Sequence, residues 1–368
     1  MGESKSKKRF FSFNYKSIFE KKYWVWTVFV FSLFIFFSGG FGIIALIAND
    51  SHNPNSNKGY CGDDTVINGC SEVKPYFCLS EKLIELPFLC GCPDSFSSFN
   101  GTCVSKHHTN PKTIRLKYFL NGKEDFIDFV AYEGFANYVS KIPRSIKYTN
   151  GYEFSRVDFK LKAINDEEQR KFLLPLVIQI QNITDNKDDQ AKIAISLVQN
   201  IPFGTSNKTT NFFGEVINHS RYPYEVLYDF QGVCGEKSDL LSFLLRELGY
   251  GVSFFYYHLE NHEAIGIKCP IEESLMETGY CFVETTSPSL ITDSQISYIG
   301  VGKLYSTPEI HIISDGLSLG RNLKEYKDAD KLVKIRNSID KSGLLGPFNR
   351  KVLNNLKSKY GLTEMYYR

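Results

Sequence analysis

The sequence has no charged residue between Lys22 and Asp50, no cysteine in its first sixty residues and no C-x2-C pair anywhere in its 368 residues. Without C-x2-C pairs it lacks the usual ligand spacing of a structural zinc module. There is no glycine-rich phosphate-binding loop. The nearest approach to a zinc-protease helix, His262-Glu263-Ala264-Ile265-Gly266, has glycine where the second histidine belongs. His258 and His262 are four apart, but on strand-like sequence they would not converge on a metal as helical ligands do. A basic excess is also missing. Seven Lys and Arg against two Glu give residues 1–22 a net +5, and since the whole chain carries +2, the remainder carries −3. No nucleic-acid surface is expected, and no metal or organic cofactor is required. There are no internal repeats. What is present is ordinary for a globular protein, with 42% hydrophobic and 23% charged residues and length for about two domains.

The uncharged gap is itself a feature. Trp24 to Ala48 reads WVWTVFVFSLFIFFSGGFGIIALIA, which as a helix reaches roughly 37 Å, enough for a hydrocarbon core of roughly 30 Å. Tyr23, Trp24 and Trp26 stand at its basic end, where an interfacial aromatic belt belongs. The run exceeds a signal-peptide core, and no clean A-x-A site follows. Residues 23–48 are therefore expected to be a transmembrane helix and residues 1–22 a cytoplasmic basic tail. The chain beyond a linker at 49–59 would then be extracytoplasmic, which makes this a single-pass protein of the cell membrane.

Six of the nine cysteines crowd into residues 60–104: Cys61, Cys70, Cys78, Cys90, Cys92 and Cys103. Gly, Asn, Ser and Pro lie between them, so the segment has little with which to build a core. Three disulfides are expected to hold it together, in a connectivity the spacing leaves open. The C-x8-C-x7-C-x11-C-x-C-x10-C pattern resembles an EGF-like module, although Ser95-Phe96 stands where a Gly-aromatic pair is expected. Cys269 and Cys281 bound two apolar runs like the base of a hairpin and are expected to pair. Cys234 is left unpaired.

Along the chain, residues 113–131 read as a β-hairpin around Asn121-Gly122 within a connecting region, 105–155. VDFKLKAI, from Val157, reads as a strand. Helices follow through EEQRKFLLPLVIQIQ and QAKIAISLVQNI, the latter after a solvated acidic start at Asp185 to Asp189. CGEKSDLLSFLLRELG reads as a helix with Gly249 at its C-terminal end. Then come strands through VSFFYY, EAIGIKC and CFVETT, and another at EIHIIS. The Phe- and Tyr-rich runs at 224–230 and 254–257 read as core. His107-His108 read as solvated loop residues. The C-terminal extension, 316–368, is charged, helical and without site chemistry. Sequons at Asn100, Asn182, Asn207 and Asn218 all fall on the expected outer side.

The order Cys234 at a helix start, His262 opening a strand and Glu284 on the next strand resembles the transglutaminase-like superfamily of papain-related folds. The matching residues are Gly232-Val233-Cys234, the Leu-Leu-Arg-Glu-Leu-Gly run, the His262 strand and Glu284-Thr285. Together with the segment from Ala191 to Tyr228, the likeness covers about residues 160–315, within an expected transglutaminase-like domain at 156–315, and is nearest to membrane-anchored microbial and archaeal members. Two positions depart from the family pattern: Glu284 replaces the commoner Asp, and Ala264 stands where an aromatic residue is common. The resemblance implies an α+β fold with a transglutaminase-like or papain-like core, in which a helix carrying Cys packs on an antiparallel sheet carrying His and the acid.

The chemistry of these residue types points the same way. A thiolate is the nucleophile, and the free N–H groups of a helix start favour that anion. His262 would take the thiol proton and later protonate the leaving group, while Glu284 would orient the imidazole and is expected to be partly accessible. The Cys234 N–H would serve as one oxyanion donor, with Gln199 or Gln231 as a second. The expected activity is attack on a peptide or amide carbonyl through a thioester, as a peptidase, an amidase or an amine-transfer cross-linker acting on a protein or peptide substrate. The alternative is an inactive cell-surface module that binds peptides or mediates adhesion.

Overall fold

The computed structural model describes residues 59–146, 151, 154–205, 208–212, 215–295, 297–298 and 302–362. The expected tail, membrane helix and nearly all of the linker lie outside the described residues. Within them no helix is long and apolar enough to cross a membrane. The chain divides into two compact units, one ending at Cys90 and the other beginning at Gly91. The fold is mixed α/β, with small antiparallel sheets.

In the first unit, β1 (Tyr76–Leu79) pairs antiparallel with β2 (Lys82–Glu85) and a short helix α1 (Pro87–Cys90) follows. Its buried apolar side chains are chiefly the cysteines themselves, Cys61, Cys78 and Cys90. Cys61–Cys78 and Cys70–Cys90 bridges interleave along the chain, so covalent crosslinks stand in for the core that so short a segment cannot build.

The second unit opens with β3 (Phe96–Phe99) and β4 (Thr102–Ser105), clipped by Cys92–Cys103. The expected hairpin follows as β5 (Pro111–Leu120) and β6 (Lys123–Tyr132). Asn121 and Gly122 turn it with φ of 52° and 80°, the left-handed conformations a two-residue hairpin turn demands. Next are α2 (Glu133–Ser140), α3 (Arg156–Ile164), α4 (Glu167–Ile183) and α5 (Lys187–Gln199). The segment read as a strand, VDFKLKAI, is the helix α3. Its alternation of apolar and charged residues does not correspond to alternating burial, since Phe159 is 45% exposed while the adjacent Ala163 and Ile164 are both buried. The helix is started by Ser155, whose N–H donates to Asp158 Oδ2 (2.7 Å), a capping arrangement that overrides the period-two pattern.

A hairpin of β7 (Thr209–Phe212) and β8 (Glu215–Asn218) precedes α6 (Pro223–Asp229) and α7 (Cys234–Glu247). Leu240, Leu241, Phe243, Leu244 and Leu245 of α7 are all buried, worth about 1.5–3 kcal/mol each. Gly249, at φ 95°, ends the helix in a Schellman turn, with Gly249 N–H donating to Arg246 O and Tyr250 N–H to Leu245 O.

Strands β9 (Val252–Tyr257), β10 (His262–Lys268) and β11 (Tyr280–Val283) come next, then the short pair β12 (Ser297–Tyr298) and β13 (Gly302–Lys303), and β14 (Glu309–Ser314). The main sheet is antiparallel in the order β11-β10-β9-β14. The expected Cys269–Cys281 disulfide closes the β10–β11 connection. Strand alternation gives the sheet two apolar faces. Val252, Phe254, Ile265, Ile267 and Val283 join the core that includes α5 and α7. Phe255, Tyr257, Ala264 and Phe282 join Leu332, Ile335, Leu353 and Leu356 of the C-terminal helices α8 (Lys324–Ser342) and α9 (Pro347–Tyr360). The charged C-terminal extension therefore supplies a second helical layer.

Candidate active site

Three chain segments meet at one end of the main sheet. Cys234 is the first residue of α7, His262 the first of β10, and Glu284 directly follows β11. Because Ile265 faces Val283 across the ladder, one further step places Glu284 opposite Ala264. Glu284 and His262 are thus diagonal neighbours on one face, and the small Ala264 between them leaves room for the carboxylate to lean toward the ring. Their neighbours Glu263 and Thr285 fall on the opposite face, toward α7.

His262 Nε2 lies 3.0 Å from Glu284 Oε2. The ring is also hydrogen-bonded to the Cys234 side chain, and with Nε2 committed to the carboxylate, Nδ1 is the nitrogen left for the thiol. The other carboxylate oxygen of Glu284 accepts from Thr286 N–H (2.7 Å) and Thr286 Oγ1 (2.6 Å). Glu284 is fully buried, not partly accessible as expected from sequence. Burial opposes its charge, but the imidazole and the two Thr286 donors outweigh it and hold the carboxyl below its ordinary range. Burial likewise opposes the charge of His262, but the Glu284 charge and the bonds to Cys234 and Glu284 raise it to about 10. Cys234 is partly exposed and is the free cysteine of the described residues.

The start of α7 is held by buried polar groups. Glu236 Oε2 accepts from Val233 N–H (3.0 Å) and pairs with the fully buried Arg221 (3.1 Å), while Arg221 Nε donates to Asp229 (2.8 Å). Thr285 Oγ1 donates to the Cys234 carbonyl and lies 3.3 Å from Ser238 Oγ. From α3, Lys160 reaches Glu263 (2.7 Å), Asp239 (3.0 Å) and the Gly235 carbonyl (3.0 Å). Just upstream, Phe230 takes a left-handed conformation, φ 52°, which is unusual for an aromatic residue and turns the chain from α6 toward Cys234.

Two assignments need correction. Gln199 does not face an oxyanion site: its amide donates to the Glu284 and Ser289 carbonyls (2.9 and 3.2 Å) and accepts from Ser289 N–H (3.3 Å). Gln231 lies half-buried three residues before Cys234, beside Gly204. His107 and His108 are not simply solvated, since His107 packs on Tyr138 and His108 on Tyr132 and Phe172, each with ring centroids 4.6 Å apart. Sequence reasoning also passed over Lys237, which is completely buried in the first turn of α7. A charged residue one turn from Cys234 on an otherwise apolar helix was the available signal. His258 pairs with Glu309 (2.6 Å), and no cluster of metal-ligating side chains occurs among the described residues.

A cleft of about 440 Å³ lies against the C-terminal end of α7, lined by Arg170, Lys171, Arg246 and Glu247 among others. Arg170 is committed there to a two-pronged pair with Glu247 (2.7 and 2.9 Å), and the cleft is at the far end of the helix from Cys234. No family model, curated protein or solved structure matches the chain.

Proposed function

We propose that the chain is a cysteine enzyme with a transglutaminase-like or papain-like core, anchored in the membrane by residues 23–48 and acting outside the cytoplasm on peptide or amide carbonyls. The observation that carries this reading is the hydrogen-bonded series Cys234, His262, Glu284, in which a partly exposed thiol is backed by a buried imidazole and a buried carboxylate. A purely packing role would need neither the ring nor the acid in that order.

In the proposed reaction the Cys234 thiol proton resides on His262, and Glu284 stabilises the resulting imidazolium. The thiolate sulfur attacks the carbonyl carbon, and the carbonyl oxygen becomes an oxyanion. The first N–H groups of a helix have no intrahelical acceptor, which puts the Cys234 N–H in place as one donor to that oxygen. His262 then gives its proton to the departing amine nitrogen as the C–N bond breaks, leaving a thioester. Water or a second amine, deprotonated by His262, attacks the thioester and restores the thiol. Four disulfides support an oxidising compartment, in keeping with the extracytoplasmic placement.

The test is labelling of the intact protein by a mild thiol-directed electrophile, with the modified residue located by mass spectrometry. Rapid modification of Cys234 at pH 6, lost in His262→Ala, is expected. A Cys234 that reacts no faster than in unfolded chain would sink the enzyme reading and leave the peptide-binding module in its place.

A further inference from the structure

The triad leaves one buried charge unexplained. Lys237 stands three residues after Cys234, so its side chain projects near the nucleophile's own on α7. It is 0% exposed. Its Nζ donates to the carbonyls of Ile201 (2.6 Å), Thr286 (3.0 Å) and Gln199 (3.4 Å). The Gln199 carbonyl ends α5 and the Ile201 carbonyl lies two residues past it, where a cation is favoured by the exposed carbonyls. The third belongs to the residue whose N–H and hydroxyl clamp Glu284. The lysine stem also lies under the loop before the nucleophile: a Cβ at Gly232 would come within 3.1 Å of Lys237 Cγ. Glycine at 232 thus admits the lysine. If the site needed only a filler, an apolar side chain would do so without the penalty of burying an ammonium.

We propose that Lys237 is a positioning residue of the triad, tying the Thr286 segment to the end of α5 and so fixing Glu284 at hydrogen-bonding distance from His262. Gln199 assists from the other side, since its amide donates to the carbonyls of Glu284 and Ser289. The brace therefore grips the 284–289 segment at three carbonyls: those of Glu284, Thr286 and Ser289. Burial pulls the Lys237 amine down to about 7, with the Glu284 charge opposing, consistent with a group held for its hydrogen bonds inside the fold. This inference rests on the cysteine-enzyme reading above.

The experiment compares the second-order rate of Cys234 alkylation by iodoacetamide at pH 6 and at pH 10. The proteins are the unmodified chain, Lys237→Met, Lys237→Gln and His262→Ala. At pH 6 only a thiolate sustained by the imidazolium reacts quickly. Loosening the acid should lower that rate about tenfold in Lys237→Met, as expected when a supporting group shifts a catalytic one. Lys237→Gln keeps donors but not reach or charge, and should fall between the two. At pH 10 an unassisted thiol ionises by itself, so the variants should converge with the unmodified chain. A general loosening of the fold would give the same convergence, so the pH 6 rate is read only for variants whose near-UV circular dichroism and urea midpoint match those of the unmodified chain. If Lys237→Met does not fold, as judged by near-UV circular dichroism, Lys237→Gln decides by the same comparison. A folded lysine variant with the unmodified chain's rate at pH 6 overturns this inference and leaves the enzyme reading standing. An unmodified chain already slow at pH 6, and unaffected by His262→Ala, overturns both.

Discussion

At the scale of single residues, the acid is the most diagnostic member of the site. Glu284→Gln keeps the volume but replaces one acceptor with an N–H₂ group, which faces the ring nitrogen that now donates. Turnover should fall about 10²–10⁴-fold. Because Glu284 is fully buried and takes three hydrogen bonds, stability should fall too, by roughly 1–3 kcal/mol. Glu284→Asp keeps the charge and should retain more activity than Gln. A fully active Gln variant beside a dead Cys234→Ala would show that the orienting acid lies elsewhere. The pH response follows from the same pair. His262 is raised from 6.5 to about 10 in the fold, so its stabilising contribution is complete below about pH 6.5 and is lost as pH rises through about 10. Urea unfolding across that range should show stability declining with pH, and the decline should flatten in His262→Gln. An unchanged slope in that variant would contradict a charged imidazole. Cys234, His262 and Glu284 were legible in the sequence because each is a reactive type at the start or end of an element. Gln199 was offered as an oxyanion donor from its position alone, and spacing could not show that its amide is committed to the Glu284 and Ser289 carbonyls.

At the scale of elements, the helix that carries Cys234 and the strands after it could be read directly. Its apolar stripe and the glycine that ends it are local signals, and the strands are β-branched and aromatic. What local signals could not supply was the charge network at the helix start. Arg221 lies fifteen residues before Glu236 in sequence yet pairs with it in the interior (3.1 Å), a relation only the tertiary fold creates. The α3 segment failed in the opposite direction, since its alternation of apolar and charged residues imitates a strand until the Ser155–Asp158 cap is weighed. The Arg221–Glu236 pair is testable as an element support. Glu236→Ala removes the acceptor at Val233 N–H and leaves the guanidinium with Asp229 as its carboxylate partner, beside the Gly204 and Thr205 carbonyls. Removing one partner of a buried pair costs about 3–5 kcal/mol, so chemical denaturation should detect a loss of that order. A loss below 1 kcal/mol would mean that water or Asp229 compensates, and that α7 does not depend on this cap.

At the scale of the whole molecule, the pairing of eight cysteines and the isolation of Cys234 join the topology to the chemistry. The sequence foretold three bridges in the first cysteine cluster and one at Cys269–Cys281, but the connectivity of the cluster needed the fold. The interleaving of Cys61–Cys78 with Cys70–Cys90 is seen in the fold and does not follow from spacing. Loops of this size are worth about 3 kcal/mol each when closed, which is a large share of the stability of a unit with so small an apolar core. Such bridges form and persist mainly in an oxidising compartment, and there a lone thiol is exposed to capture by other thiols. A membrane-impermeant maleimide added to intact cells tests these points together. If residues beyond the proposed anchor at 23–48 face outward, Cys234 should be labelled without lysis or reductant, and it should be the one cysteine labelled. Labelling that appears only after lysis would reverse the proposed topology and remove the compartment in which the bridges are stable. Labels on Cys269 or Cys281 would instead refute the bridge that closes the β10–β11 connection. A labelled Cys234 that loses reactivity in His262→Ala, on the same cells, would tie the outward placement to the activated thiol in one measurement.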